Sequence, residues 1–457
     1  LKLLGASAGV AAVGAPWIWV PKRSFAATSE AHGAAKHVIV LYADGGLRSP
    51  AIFNADLALQ WNPHVDGEGA PTQSTVSGTE WKLGAVADRS SYALPSWGEG
   101  ERLKPLSEVA DQVAVLGTVD HEPDAKLSDA NHQSAKLRMT TGFLDGQTGF
   151  LAQIYKHHPM YAGEGRLTLF PPAVIGGSAR QYGLANGEDG KFRPLFFNGP
   201  EDFQRGGIRS FHIEQPGWAK GFAQRQDERF AGKLSVADQA RVGLYTDSKQ
   251  NMDRFRDILA LPQLNLLGDG EVEASLGSNV QLREAFGLGA WGPKVALAVR
   301  LLQFGSPMVV VGVSGYDTHS NEMVDFPPLA RDLTRQLAAL CQVLPRLPHP
   351  AGGTYWDHTV VTVLSEFSRD NTERLTGYNS AQGSDHRGEN GSRYQSLPFL
   401  GGPVAGGRFR GKTDRSTMMA QDEVYASQGV LASLSDLVGV DPGLFLQERP
   451  VTDMLKL

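Results

Sequence analysis

Apolar residues fall along this chain in two kinds of run. His37 to Ala43 (HVIVLYA) is short and nearly continuously apolar, and Asp44-Gly45-Gly46 closes it. Such a run suits a strand buried on both faces, the habit of parallel sheets covered by helices. Gln112 to Gly117 (QVAVLG), Met308 to Val313, Thr359 to Leu364 (TVVTVL) and Leu397 to Leu400 read the same way. The second kind repeats at helical spacing. Lys294 to Phe304 carries it until Gly305 and Pro307 intervene, and Leu329, Leu333, Leu337, Leu340 and Leu344 mark one face of another helix. Leu103 to Asp111 reads as a helix leading into QVAVLG. Helix followed by buried strand, repeated, predicts an α/β fold with a doubly wound, mostly parallel sheet flanked by helices.

Between about residues 150 and 290 the alternation weakens, with Pro171-Pro172, Gly176-Gly177 and many polar positions. This stretch is expected to form an inserted cap, partly helical from Ser235 to Leu261. Trp61 to Trp97 is a polar loop rich in Gly and Ser, expected to overhang the sheet edge. Trp61, Trp81 and Trp97 read as loop anchors, with stacking on a sugar as the alternative. Residues 1–27 differ from the rest: Leu3 to Val20 is mostly Ala, Gly, Leu and Val, and Pro21-Lys22-Arg23 and Ser24-Phe25-Ala26-Ala27 follow. That pattern reads as an export signal with its cleavage site, leaving residues 28–457 as one α/β domain. An uncleaved membrane anchor is the alternative, against which the many Gly and Ala weigh. The expected location is periplasmic or extracellular, with membrane attachment only through a retained N-terminal segment.

Composition narrows the partners and the chemistry. Hydrophobic residues make up 41% and charged residues 20% of 457, ordinary for a globular chain able to bury a large core. A formal net charge of -6 without a block of Lys and Arg argues against a nucleic-acid surface. The single cysteine, Cys341, sits at an apolar helical position and rules out thiolate-built metal clusters. Any metal must therefore be held by oxygen and imidazole ligands. No Gly-rich dinucleotide turn is present, which disfavours redox cofactors.

Ligands of open α/β sheets bind beyond the carboxyl ends of the strands. The first strand ends at Asp44, and the run from Met308 leads into Gly315-Tyr316-Asp317-Thr318-His319. The run from Thr359 leads into Ser365-Glu366-Phe367-Ser368-Arg369, and Gly383-Ser384-Asp385-His386 follows. An Asp after a strand is usually a turn or cap residue, but four such segments at one edge point to a shared site. Carboxylates with neutral imidazoles suit zinc, manganese or magnesium, and the mixed set favours zinc, with calcium also open. Asp120-His121 follows the second strand and is within reach of that edge, whereas Asp357-His358 precedes a strand at the opposite edge.

GYDTH (315–319), SEFSR (365–369) and GSDH (383–386) resemble the GWDTH, SEFGR and G-x-DH signatures of the domain of unknown function 1501 family. Members are usually exported by the twin-arginine route, and Leu1-Lys2-Leu3-Leu4-Gly5 resembles the tail of such a signal. The family sits near the alkaline phosphatase and sulfatase superfamily, so the resemblance implies an alkaline-phosphatase-like fold and a divalent-metal centre of one or two ions. On that pattern Asp317, His319 and His386 hold one metal, Asp44 and Glu366 hold the other, and Asp385 either ligates or orients His386.

The superfamily's nucleophile opens a helix ending in Thr-Gly. Here Thr141-Gly142 places His132 at that position, which leaves it as metal ligand, direct nucleophile or general acid/base. Ser134 and Ser128 are the runner-up nucleophiles. Ser368 stands where the signature has glycine. Arg369 and Arg387 suit a phosphate or sulfate group, with a structural ion pair as the alternative. The resemblance thus implies a hydrolase of small anionic phosphate or sulfate esters. The competing class is a cell-envelope binding or structural protein that keeps the metal as a staple.

Overall fold

The computed structural model describes residues 33–55, 64, 74–76, 78–144, 148–161, 170–203, 225, 262–268, 274–369, 386, 393–451 and 453–456. The expected export signal, Trp61, the helix expected at 235–261, and Gly383, Ser384, Asp385 and Arg387 lie outside the described residues.

Among the described residues nine strands form one sheet: β1 (His37–Asp44), β2 (Val113–Asp120), β3 (Ala173–Ile175), β4 (Leu195–Phe197), β5 (Met308–Ser314), β6 (Thr359–Leu364), β7 (Gln395–Gly401), β8 (Phe409–Arg410) and β9 (Tyr425–Ala426). They run in the order β8-β2-β7-β6-β1-β5-β3-β4, and β9 also pairs with β2. β1 lies parallel to both β5 and β6, and β3 continues parallel to β5. β7 runs antiparallel to both of its neighbours, β6 and β2. The sheet is therefore parallel apart from one strand, as the continuous apolar runs predict. β3 and β4 come from the stretch expected as a cap, so part of that stretch extends the main sheet.

Both faces are covered. Along β1, Ile39, Leu41 and Ala43 enter one core with α1 (Ser49–Phe53), α4 (Asn279–Phe286), α5 (Gly292–Gln303) and α6 (Glu322–Val343). Val38, Val40 and Tyr42 enter the other, with Met139 of α2 (His132–Thr141), α3 (Phe150–His157) and α7 (Ser427–Leu437). Alternation along a strand sends successive side chains to opposite faces. A strand between two cores must then be apolar at every position, which is why HVIVLYA lacks the alternation of a half-exposed strand. Each buried Val, Leu or Ile contributes about 1.5–3 kcal/mol relative to exposure.

Two local expectations are corrected. Leu103 to Asp111 is not an α-helix: Arg102–Leu103 forms a short ladder with Tyr92–Ala93, and 3-10 turns follow at Leu106–Glu108 and Ala110–Gln112. Pro105 is the cause, since it removes an amide donor and biases Lys104 away from helical angles. The described part of the loop before Trp97 packs along the helical flank. Trp81 is buried, the Asp88 amide donates to the Thr334 hydroxyl of α6, and Trp97 Nε1 donates to the Gln281 carbonyl of α4. Cys341 is buried in α6, and burial raises its thiol pKa. No helix of the described residues is long and apolar enough to cross a membrane.

One buried ion pair ties β1's exit to α6. Arg48 Nε and Nη2 donate to the two Glu322 carboxylate oxygens at 2.6 and 2.8 Å, with both side chains almost fully buried. Burial alone would raise Glu322, yet Arg48 and the neighbouring His64 together more than offset it and hold the carboxyl down from 4.5 to about 2. A depressed folded-state pKa means that its stabilisation is complete above pH 4.5 and is lost as pH falls toward about 2. Breaking a buried pair strands the remaining charge, so Glu322→Gln and Arg48→Ala should each lose about 3–5 kcal/mol at neutral pH. Urea unfolding at several pH values checks this. Glu322→Gln should also flatten the acid limb between pH 4.5 and about 2, and an unchanged acid limb contradicts the assignment.

Candidate metal centre at the carboxyl edge of the sheet

Parallel register brings three strand ends level. Asp44 pairs with Ser314 across β1 and β5, and Tyr42 pairs with Leu364 across β1 and β6. The chain therefore leaves the sheet side by side at Asp44, Gly315 and Ser365. Gly45 and Gly46 hold φ of 119° and 87°, angles that glycine adopts without strain. A Cβ on Gly45 would collide with the Asp317 amide, and one on Gly46 with the Phe367 ring. The glycine pair thus lets both following segments close over the end of β1.

Glu366 is fully buried and accepts from three donors. Oε1 takes the Gly45 amide at 2.9 Å and His132 Nδ1 at 3.0 Å. Oε2 takes the Tyr42 hydroxyl at 3.0 Å, while the Ser365 hydroxyl, 3.3 Å away, gives its one proton to the Ala43 carbonyl at 2.6 Å. Burial pushes its pKa up, but the His132 hydrogen bond and the nearby Lys136 charge outweigh it, and the carboxyl lies below its ordinary value. An ionised carboxylate only accepts, so the proton of this bond sits on His132 Nδ1.

His132 opens α2, where the Asn131 side chain accepts from the Gln133 and Ser134 amides and caps the helix. With its proton on Nδ1, a neutral His132 turns the Nε2 lone pair outward. That Nε2 is buried without a hydrogen-bond partner and lies 3.4 Å from Asp317 Oδ1. A lone pair facing a carboxylate oxygen at that distance is repulsive unless a cation lies between them. His386 repeats the arrangement: Nδ1 donates to the Ala130 carbonyl at 2.7 Å, and Nε2 comes within 3.0 Å of His319 Nε2. Burial and the Arg369 charge push His386 down to about 4, which keeps it neutral at pH 7. His319 Nε2 lies 3.2 Å from Asp317 Oδ1.

The donor atoms of His132, Asp317, His319 and His386 all lie within 4.8 Å of one another. Ligands about 2.0–2.1 Å from a tetrahedral ion stand roughly 3.3 Å apart, close to the 3.0, 3.2 and 3.4 Å separations. Three imidazoles with one carboxylate thus form a cluster able to hold a metal ion. Phe367 stacks on His386 and backs His132, with ring centroids 4.4 and 4.8 Å away. His319 and Asp317 are half exposed (49% and 50%), so the centre opens to solvent.

Asp317 also pairs with Arg369, whose guanidinium is buried. Burial raises the Asp317 carboxyl, but the Arg369 charge and hydrogen bond, with His132 and His319, together outweigh it and leave the pKa lowered. Arg369 Nε and Nη2 also donate to the Gly45 carbonyl, at 3.2 and 2.5 Å, while its buried Nη1 has no partner.

The predicted residues thus divide. The structure brings Asp317, His319 and His386 together, with His132 beside them through Nε2. Asp44 and Glu366 do not join the converging donors. Asp44 is paired with Lys136 of α2, and Glu366 is committed to its three donors. Asp44 has a raised pKa because of burial and the neighbouring Glu366 charge. Asp120 also has other work: Arg393 Nε donates to it at 2.7 Å, and the Ser128 hydroxyl donates to it as well. Arg393 further donates to the Lys126 and Ala125 carbonyls, both at 2.8 Å, pinning the loop before α2. Ser134 donates to the Asn131 carbonyl at 3.3 Å and so completes the helix cap.

Sequence reading missed Tyr42, Phe367, Arg393 and Lys136. Only Lys136 had a usable signal, since it lies four residues after His132 and shares its helix face.

Residues 268–450 match the family model described as "Protein of unknown function (DUF1501)", less than half of the 457-residue chain. That span contains Asp317, His319, Glu366 and His386 but not Asp44, His132 or Lys136. No curated protein matches the chain in sequence. Among solved structures it is similar to the lipoteichoic acid synthase LtaP from Listeria monocytogenes, at 12% identity and TM-score 0.33, covering 92% of this chain and 78% of that one. It is also similar to a protein in the alkaline phosphatase superfamily from Vibrio parahaemolyticus, at 11% identity and TM-score 0.33, covering 93% and 71%. BT4656 in complex with its substrate D-glucosamine-2-N,6-O-disulfate is a third, at 11% identity and TM-score 0.28, covering 92% and 82%. These likenesses are too distant to carry anything about this chain's chemistry.

The Glu366–His132 bond has a direct spectroscopic consequence. In metal-free protein, long-range proton–nitrogen correlation should find His132 protonated on Nδ1. Glu366→Gln, which presents an amide able to donate or accept, should mix the two tautomers. A wild-type His132 protonated on Nε2 contradicts the arrangement.

Proposed function

We propose that the chain is an exported metal-dependent hydrolase of phosphate or sulfate esters. The observation that carries this reading is the convergence of three imidazoles and one carboxylate at a solvent-open sheet edge, beside a buried guanidinium with an unused donor. The motif resemblance to an exported family placed near the alkaline phosphatases and sulfatases supports the reaction class. The first 27 residues, read as an export signal, support a periplasmic or extracellular location.

His132, Asp317, His319 and His386 bind the ion, with zinc the best match to the donor set. Asp385, next to His386, is a further candidate ligand or orienting group. A divalent cation bound there polarises an ester oxygen and lowers the pKa of water toward about 7. The chain's own groups do the rest. Glu366 keeps a proton on His132 Nδ1 and so keeps Nε2 available as a donor. With both ring nitrogens committed, His132 serves as a ligand rather than as the attacking group. Arg369, held by the Gly45 carbonyl and Asp317, sets a fixed positive charge beside the ion that favours an anionic substrate.

One observation favours the alternative of a non-catalytic envelope protein. Four protein donors are enough to fill a tetrahedral shell, and a filled shell is the mark of a structural ion.

Metal analysis of purified protein, with a screen of phosphate and sulfate esters, separates the two readings. Wild type should carry a divalent ion and turn over members of one ester class. His319→Ala should bind the ion at least about 10–100-fold more weakly and lose turnover in parallel. Full loading with no turnover across both ester classes sinks the hydrolase reading and leaves the structural one.

A further inference from the structure

The geometry points to a mononuclear centre, in which the Lys136 ammonium stands where a second cation would otherwise be needed. The inference rests on the metal-binding reading above and concerns the half of the edge that the four donors leave over. Asp44 and Glu366 end or follow the adjacent strands β1 and β6, and parallel register places them side by side. Each carries its charge into partial or full burial, and the Glu366 charge raises the Asp44 pKa. Two neighbouring buried carboxylates require a compensating cation.

Lys136 supplies it. Its ammonium contacts Asp44 Oδ1, and both side chains are only 17% exposed. Helical spacing fixes its position, because His132 and Lys136 lie one turn apart on the same face of α2. His132 therefore aims at the ion while Lys136, one turn later, neutralises the paired carboxylates. A metal ion on Asp44 would have to displace a lysine covalently anchored in place. Glu366 is buried and already accepts from the Tyr42, Gly45 and His132 donors, so it offers little to a second ion.

Zinc titration read by native mass spectrometry tests this on the full chain. Wild type should bind one zinc per chain, and Asp44→Asn should also bind one, with Kd within about threefold of wild type, since no ligand is lost. Two zinc ions in wild type, with one lost in Asp44→Asn, overturn the mononuclear assignment but leave the proposed metal site standing. No zinc bound by wild type overturns the metal-binding reading itself, and this inference with it.

A double-mutant cycle checks the charge compensation independently of metal. In chelator, Lys136→Met should lower Tm, and Asp44→Asn in the same chain should recover most of the loss. Strictly additive effects of the two substitutions overturn the pairing.

Discussion

The Glu366 carboxylate is the constraint on which the rest of this edge depends. It is fully buried, remains charged, and is held by donors from β1, the glycine turn after β1 and α2. A buried charge is tolerated only when it is paired and hydrogen-bonded. Its demand for donors therefore fixes the turn, the Tyr42 ring and the first residue of α2 in one geometry. The orientation of His132 follows from that demand. The outward lone pair on Nε2 is the far end of a hydrogen bond made inside the protein.

The edge is arranged as two electrostatic layers. Nearest the sheet, Asp44 and Glu366 are neutralised by Lys136 and by hydrogen bonds. Farther out, Asp317 pairs with Arg369, Glu366 and the Ala130 carbonyl orient His132 and His386, and the remaining imidazole nitrogens turn toward one another and toward the Asp317 carboxylate. A cation bound among these donors would be shared by all four. The Arg393–Asp120 pair and the carbonyls it gathers hold the loop that delivers α2 to this position.

The sheet was legible because burial on both faces leaves a plain mark, a run such as HVIVLYA or TVVTVL with no polar alternation. The segments of the site were legible for the complementary reason: polar residues that end such runs must lie at the carboxyl edge. Their division of labour was not legible. Asp44, Asp317 and Glu366 are equivalent as letters, and only three-dimensional partners separate an ion-paired carboxylate, a converging donor and a buried orienting group. Lys136 was overlooked because a lysine in a helix normally reads as a solvated face. Leu103 to Asp111 misled for another reason, since Pro105 overrides apolar spacing through the backbone alone.

The most direct measurement is the metal-edge X-ray absorption spectrum of zinc-loaded wild-type protein. A single site with three imidazole nitrogens and one carboxylate oxygen at about 2.0–2.2 Å is expected. A shell dominated by carboxylate oxygens, with fewer than two imidazoles, would place the ion on Asp44 and Glu366 and contradict the account.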